Sequence, residues 1–248
     1  MSKTILITGG SRGIGRATAI LAGARGWSVG VNYVGDAAAA AETVAAVEAA
    51  GGRAIAIRGD VAVEAEVIAI FEATHAAFGP LDGFVNNAGI VAPGLPLVEI
   101  GAERLQRLFA VNIFGAYIGA REAARRMSRS CGGNGGAIVN VSSAAARLGG
   151  ANEYVDYAGT KGAIDTLTIG LAKELGPEGV RVNAVRPGLI STEIHASGGK
   201  PDRAATMGAT TPLGRPGTAE EVAEAIVWLL SDAASYVTGA LLDVAAGR

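Results

Sequence analysis

A chain of 248 residues is long enough for one α/β domain with a substantial core, and a composition that is 50% apolar with 37 glycines describes a compact globular protein rather than a disordered one. The formal charge is −2 with acids and bases interspersed, so no basic field exists to hold a nucleic-acid backbone. The lone cysteine, Cys131, excludes an internal disulfide and a cysteine metal cluster. No apolar run approaches the roughly 20 residues of a membrane span, and Met1–Lys3 leads straight into an apolar strand without a signal-peptide pattern, so a cytoplasmic protein is expected.

Thr4–Thr8 reads as a short strand, followed at once by Gly9-Gly10-Ser11-Arg12-Gly13-Ile14-Gly15 and a helical pattern with Ile14, Ala17, Leu21 and Ala24 on one face. Strand, glycine loop and helix in that order let backbone N–H groups and a helix N-terminus face a pyrophosphate. Val29–Val34 is the second strand, and Asp36 caps the Ala-rich helix Ala37–Ala50. An acid at the end of this strand would grip a ribose 2′-hydroxyl, whereas Asn32 and Tyr33 are neutral and Arg12 can pair with a phosphate. NADP(H) is therefore favoured and NAD(H) stays open, because Asp36 is near enough to serve a ribose.

Ala54–Ile57 is a third strand ending at Gly59-Asp60-Val61, where Asp60 either accepts from an adenine amino group or caps the helix Val63–Phe78. Leu81–Asn86 is a fourth strand running into Asn86-Asn87-Ala88-Gly89, small and amide-bearing enough to lie against a ribose. A long helix, Leu105–Arg126, contains Asn112 among apolar neighbours, where an amide needs partners. The arginines Arg121, Arg125, Arg126 and Arg129 read as a solvated, basic helix end.

Ile138–Val141 is a buried fifth strand that delivers Ser142 and Ser143 at its C-terminal end, where open parallel sheets bind ligands. The helix Tyr157–Leu175 follows, with Tyr157 and Lys161 at i,i+4 and so roughly 5–6 Å apart at Cβ on one face. An ammonium beside a phenol is expected to lower the phenol's pKa toward neutrality and make it a proton donor and acceptor. Val180–Val185 is a sixth strand ending at Arg186-Pro187-Gly188. The segment 190–217, rich in Gly, Thr and Pro, reads as a lid or substrate-binding insertion, before the helix Glu220–Leu230 and a last strand Leu241–Val244. His75 reads as a helix-surface residue and His195 as a lid or substrate contact, and the pair gives no metal signature. Regular alternation of strand and helix implies a parallel sheet covered on both faces.

The motifs Thr8–Gly15, Asn86-Asn87-Ala88-Gly89, Asn112, Ser143, Tyr157-Ala158-Gly159-Thr160-Lys161 and Pro187-Gly188 resemble, in that order and over the whole chain, the short-chain dehydrogenase/reductase family. The resemblance implies a single domain over 1–248 with a Rossmann-like, doubly wound, seven-stranded parallel sheet, and hydride transfer between a nicotinamide and a secondary alcohol or carbonyl. It makes Tyr157 the general acid or base, Lys161 its pKa modifier and a ligand of the nicotinamide ribose, Ser143 rather than Ser142 the group that holds the substrate oxygen, and Asn112 the anchor of a proton-relay water. The nucleotide would lie along Gly9, Ser11, Arg12, Ile14 and Gly15, then Asn32 and Tyr33, Asp60 and Val61, Asn87, Ala88 and Gly89, and finally Pro187, Gly188, Ile190 and Thr192. Gly159 is the one departure, where the family often has Ala or Ser.

The likeness is to glucose 1-dehydrogenase and 3-oxoacyl-carrier-protein reductase relatives, which leaves a sugar or an acyl carrier as substrate. It also implies a homotetramer. A non-catalytic NADP(H) sensor is the alternative from another class, disfavoured because both Tyr157 and Lys161 are present.

Overall fold

The computed structural model describes residues 2–248 as a seven-stranded, all-parallel sheet of order β3-β2-β1-β4-β5-β6-β7. The strands are β1 (Thr4–Ile7), β2 (Ser28–Tyr33), β3 (Arg53–Arg58), β4 (Gly83–Asn86), β5 (Gly136–Val141), β6 (Val180–Pro187) and β7 (Leu241–Val244). Ile5 pairs with Val29 of β2 on one side and with Gly83 of β4 on the other. The order reverses between β1 and β4, and a crevice therefore opens beyond the C-terminal ends of these strands.

Successive residues of β1 show why the sheet must be sandwiched. Ile5 and Ile7 enter one core with Val29, Val139, Ile226 and Leu230, while Leu6 enters the other with Phe71, Phe84, Met127 and Ile138. The first face is covered by α1 (Gly13–Ala24), α2 (Ala37–Ala49) and the late helix Ala219–Leu230, the second by α3 (Glu64–Phe78) and the helices that follow β4 and β5. Strand and helix boundaries match the sequence expectations to within a few residues, and Asp36 caps α2 by accepting from the Ala39 amide at 2.9 Å.

Three expectations are corrected. The helix read as continuous over Leu105–Arg126 is three pieces: α4 (Ala102–Phe109), a π-helical turn over Ala110–Gly115, and α5 (Ala116–Met127). Gly115 backs onto Val61, where a Cβ would stand 2.6 Å from the carbonyl oxygen, so the segment lies hard against the loop after β3. Asp60 is not a helix cap, since Val63 holds that position in α3. Its carboxylate accepts instead from the Ala62 amide at 2.9 Å and from Arg107 at 3.2 Å.

The arginines at the end of α5 are not simply solvated. Arg121, Arg125 and Arg126 converge on the buried carboxylate of Glu122, the first two at 3.0 Å and Arg126 at 2.5 Å, and Arg121 also reaches Glu64. Burial pushes the Glu122 carboxyl upward in pKa, but hydrogen bonds from Arg126 and Arg121 more than offset this and hold it below the usual carboxylate range. Glu122→Ala would leave these guanidinium groups without their shared anion. Because the arginines are partly solvated, we expect a loss of about 2 kcal/mol rather than the larger value of a fully buried pair. Chemical denaturation of the full chain reads this directly, and a loss below about 0.5 kcal/mol would mean that the cluster is a surface feature after all.

Candidate active site

The glycine loop takes its shape from close backbone approach. Gly9 turns at φ +61°, and a Cβ at Gly15 would lie 2.4 Å from the Gly9 carbonyl oxygen, so α1 can start this near the strand only without side chains there. The loop after β4 is stitched to it: Thr8 Oγ1 accepts from the amides of Asn87 and Ala88 at 3.0 Å, and Asn87 Nδ2 donates to the carbonyls of Thr8 and Gly9. No side chain caps α1, and its first residues Gly13 and Ile14 line the crevice beside exposed Arg12.

At the end of β5 the two serines separate. Ser142 is buried, with Oγ 2.7 Å from Asp165 Oδ1 and 3.1 Å from the Lys161 carbonyl, and Asp165 is itself held by Arg186 at 2.8 Å. Ser143 faces the crevice. Both serines border the crevice, but the Ser142 hydroxyl alone is tied back to Asp165 and the Lys161 carbonyl.

Tyr157 and Lys161 stand one turn apart on α7 (Val155–Leu175), with Nζ 5.6 Å from the phenol ring centroid. Nζ donates to the Val141 carbonyl at 2.8 Å. Burial dominates both groups. It pushes the Tyr157 phenol up to about 12, against a smaller downward pull from the Ser143 side chain, and pushes the Lys161 ammonium down to about 8, against a smaller upward pull from Asp165. The expected lowering of the phenol by the neighbouring ammonium is therefore overturned in this structure: desolvation outweighs a charge that is turned toward a carbonyl.

A cavity of about 600 Å³ joins these parts, running from Arg12 and Tyr33 past Ser143 and Tyr157 to Arg203. Ser11, Ile14, Asp60, Val61, Asn87, Ala88, Gly89, Pro187, Gly188, Ile190 and Thr192 line it as expected. Gly15, Asn32 and Asn112 do not. Asn32 points inward, accepting from the Gly9 amide at 3.2 Å and donating to the Gly59 carbonyl at 2.9 Å, so it braces the glycine loop against β3. Asn112 exchanges hydrogen bonds with the backbone of Ile90 and donates to Thr160 Oγ1, and it flanks Gly89 together with Lys161 Nζ.

The segment 190–217 is closed at its base by a parallel bridge between Ile190 and Gly217 and carries two short helices, α8 (Ile194–Ser197) and α9 (Arg203–Gly208). Lys200 and Arg203 both grip Glu153, the latter at 2.7 Å, and the Arg203 guanidinium lies 5.0 Å from the Tyr154 ring centroid. His195 meets the Ile190 carbonyl at 2.9 Å. Sequence reasoning missed Arg107, Tyr154, Glu193, Arg203 and Arg248 as cavity residues. Only the fold brings them there.

The family model described as enoyl-(acyl carrier protein) reductase matches residues 9–248. The uncharacterized oxidoreductase YgfF of Escherichia coli K12 is 52% identical over 98% of both chains. The chain belongs to the short-chain dehydrogenase/reductase family. An L-rhamnose 1-dehydrogenase (NAD(P)(+)) of Sphingomonas sp. strain SKA58 is 43% identical over 99% of this chain and 95% of its own. Among solved structures, a 3-ketoacyl-(acyl-carrier-protein) reductase of Brucella melitensis complexed with NADH superposes with a TM-score of 0.91 at 32% identity, over 99% of this chain and 98% of that one. Family membership makes the protein an oxidoreductase that acts on CH–OH donors with a nicotinamide nucleotide.

Because Lys161 falls from its ordinary 10.5 to about 8, the folded protein binds fewer protons than the unfolded chain between those values. The penalty for burying the ammonium is full below about pH 8 and fades as pH rises toward 10.5. Lys161→Met is expected to gain about 1–3 kcal/mol at pH 7, to lose that gain toward pH 10, and to abolish turnover. Melting curves at the two pH values check the sign, and a destabilised variant at pH 7 would refute it.

Proposed function

We propose that the protein is an NADP(H)-dependent oxidoreductase interconverting a small secondary alcohol and its carbonyl, with Tyr157 as the proton donor and acceptor. The observation that carries this reading is the convergence of Ser143, Tyr157 and Lys161 on one cavity with the glycine loop. When bound, the nicotinamide supplies or accepts the hydride. The glycine cradle, which Cβ atoms would fill, and the open α1 N-terminus fit a dinucleotide.

Ser143 orients the substrate oxygen. Tyr157, with a pKa raised to about 12, holds its proton at neutral pH and gives it to the developing alkoxide during reduction; in oxidation the phenol must first release its proton to solvent, and its phenolate then takes the proton of the alcohol. Lys161 keeps a positive charge below about pH 8, which stabilises the phenolate as it forms, and its ammonium is placed to hold ribose hydroxyls. Asn112 fixes the Gly89–Ile90 backbone and the π-helical turn beside Lys161. Tyr157→Phe removes only the proton donor and is expected to lower kcat by 10²–10⁴-fold while nucleotide binding persists. Unchanged turnover would end this mechanism, and binding without any turnover in the wild type would revive the sensor reading.

The NADP(H) preference rests on Arg12, exposed beside the neutral Tyr33, while the nearest acid, Asp36, is engaged as a cap. The rhamnose relative's name covers both nucleotides and the Brucella neighbour holds NADH, so the contrast is worth measuring. In Arg12→Ala the dissociation constant for NADPH should rise about tenfold or more, with that for NADH almost unmoved, when followed by fluorescence titration. An equal loss for both would transfer the preference elsewhere.

A sugar is the favoured substrate, supported by the rhamnose relative. The carrier-protein alternative wants a free basic patch near the mouth. The candidate cations are instead taken: Arg121, Arg125 and Arg126 by Glu122, Lys200 and Arg203 by Glu153. The segment 190–217 acts as the substrate lid of the single domain. Half-exposed Phe109, Phe114 and Tyr117 around the π-helical turn and Ile169 on α7 offer the apolar surface for a homotetramer. No helix among the described residues is long and apolar enough to cross a membrane.

A further inference from the structure

Tyr157 stands in the first turn of its helix, and helix ends fray. The turn that leads from α6 (Ala145–Leu148) into α7 ends at Tyr154, and no side chain caps α7 there. Its first amides therefore need partners from elsewhere. Asp156 supplies one, since its Oδ1 accepts from the Tyr157 amide at 2.9 Å. The Asp156 side chain is wholly buried, and a buried charge must be compensated. The compensating cation is Arg104 of α4, with Nε 2.8 Å from Oδ2 and Nη2 3.3 Å from Oδ1.

Local preference does not explain this arginine. Arg104 lies in the first turn of α4, at the positive end of the helix dipole, where an acid such as Glu103 belongs and a cation is disfavoured. What the position gives is reach to two partners at once. Besides Asp156, the guanidinium serves the Pro93 carbonyl, which accepts from Nη1. Pro93 belongs to the loop after β4, whose Ile90 and Val91 line the cavity. That loop is held at Ile90 by Asn112, at Leu95 by the Glu153 carbonyl, which accepts from its amide at 3.1 Å, and at Pro93 by Arg104. Arg104 itself lies outside the cavity lining, so its influence on a reaction there passes through what it holds.

We propose that Arg104 is a positioning residue for the reaction: one guanidinium keeps the loop that walls the cavity and the turn that carries Tyr157 in fixed relation, so that a substrate oxygen meets the phenol. The inference rests on the reading of Tyr157 as proton donor and acceptor. A planar fork serves a carboxylate and a carbonyl together, whereas an ammonium keeps the charge without spanning both.

The test uses the full chain with NADPH and 2,3-butanedione as the probe substrate, and compares Arg104→Gln, Arg104→Lys, Asp156→Asn and the double variant of Arg104→Gln with Asp156→Asn. Turnover is counted per NADPH-binding site, so unfolded protein does not enter the rate. In Arg104→Gln, kcat per site should fall about 10- to 100-fold with the NADPH dissociation constant unchanged, the loss expected for a small misplacement of the reacting groups. Arg104→Lys should recover part of this loss, and the double variant should be no slower than the slower single one, because the two residues act as a unit. Hydrogen exchange in the NADPH-bound Arg104→Gln chain should quicken in residues 90–96 and 154–158 together. A kcat per site within about twofold of wild type in Arg104→Gln, additive losses in the double variant, or quicker exchange in one segment alone would each overturn the proposal. Exchange needs no turnover. A wild type that leaves the probe unreduced would count against the oxidoreductase reading, and the paired exchange would still decide whether Arg104 joins the two segments.

Discussion

The site depends on keeping a lysine ammonium out of water. Lys161 is buried between β5 and α7, and what it receives in return is one carbonyl, that of Val141, and the more distant charge of Asp165. That exchange lowers its pKa to about 8, into the range where a proton can move at modest expense. Asp165 does not contact the ammonium in a tight pair, being occupied by Ser142 and Arg186. Were it free to do so, the cation would be satisfied and inert. The fold thus gives up stability to bury this ammonium, a trade common at active sites.

The parallel sheet makes this possible. Just beyond β5 both serines border the crevice, but the Ser142 hydroxyl turns into the α7 packing and donates to Asp165. Ser142 then anchors α7 through the Lys161 carbonyl and Asp165, fixing the turn from which Tyr157 projects. A second anchor lies just before it, where Arg104 of α4 reaches Asp156 at 2.8 Å and the Asp156 carboxylate accepts from the Tyr157 amide. Placement of the phenol is over-determined from both ends of its helical turn, which is what a proton donor that must meet a substrate oxygen within hydrogen-bond distance requires.

Much of this was legible because the signals are local. The glycine loop between strand and helix, the i,i+4 pair and the Asp36 cap each follow from a few neighbouring residues, and the structure brings them where the pattern says. What was not legible is what depends on tertiary context. Asn32 sits at a position that faces a ribose in projection, yet its amide turns inward because the Gly9 amide and the Gly59 carbonyl need partners. The break in the helix around Asn112 carries one glycine, Gly115, which by itself does not mark a helix end, and only contact with Val61 and Ile90 reveals it. Glu122 hides among arginines whose run reads as solvent-facing until burial shows the carboxylate at their centre. The phenol's pKa went the wrong way for the same reason: spacing gives the neighbour's charge but not the depth of burial.

The segment 190–217 spans the two halves of the cavity. Its first residues, Thr192 and Glu193, rest on the glycine loop at Gly13, while ten residues later Arg203 is pinned to Glu153 and Tyr154 at the start of α7. Because the Ile190–Gly217 bridge fixes the base, the intervening stretch can move only by breaking one or both of these contacts. A phosphate at the glycine loop would meet Glu193, a like charge, at the near end of this segment, and a ligand beside Tyr157 would meet Tyr154 and Arg203 at its far end. The two halves of the cavity thus share one segment, anchored at Gly13 and at Glu153 over a common sheet.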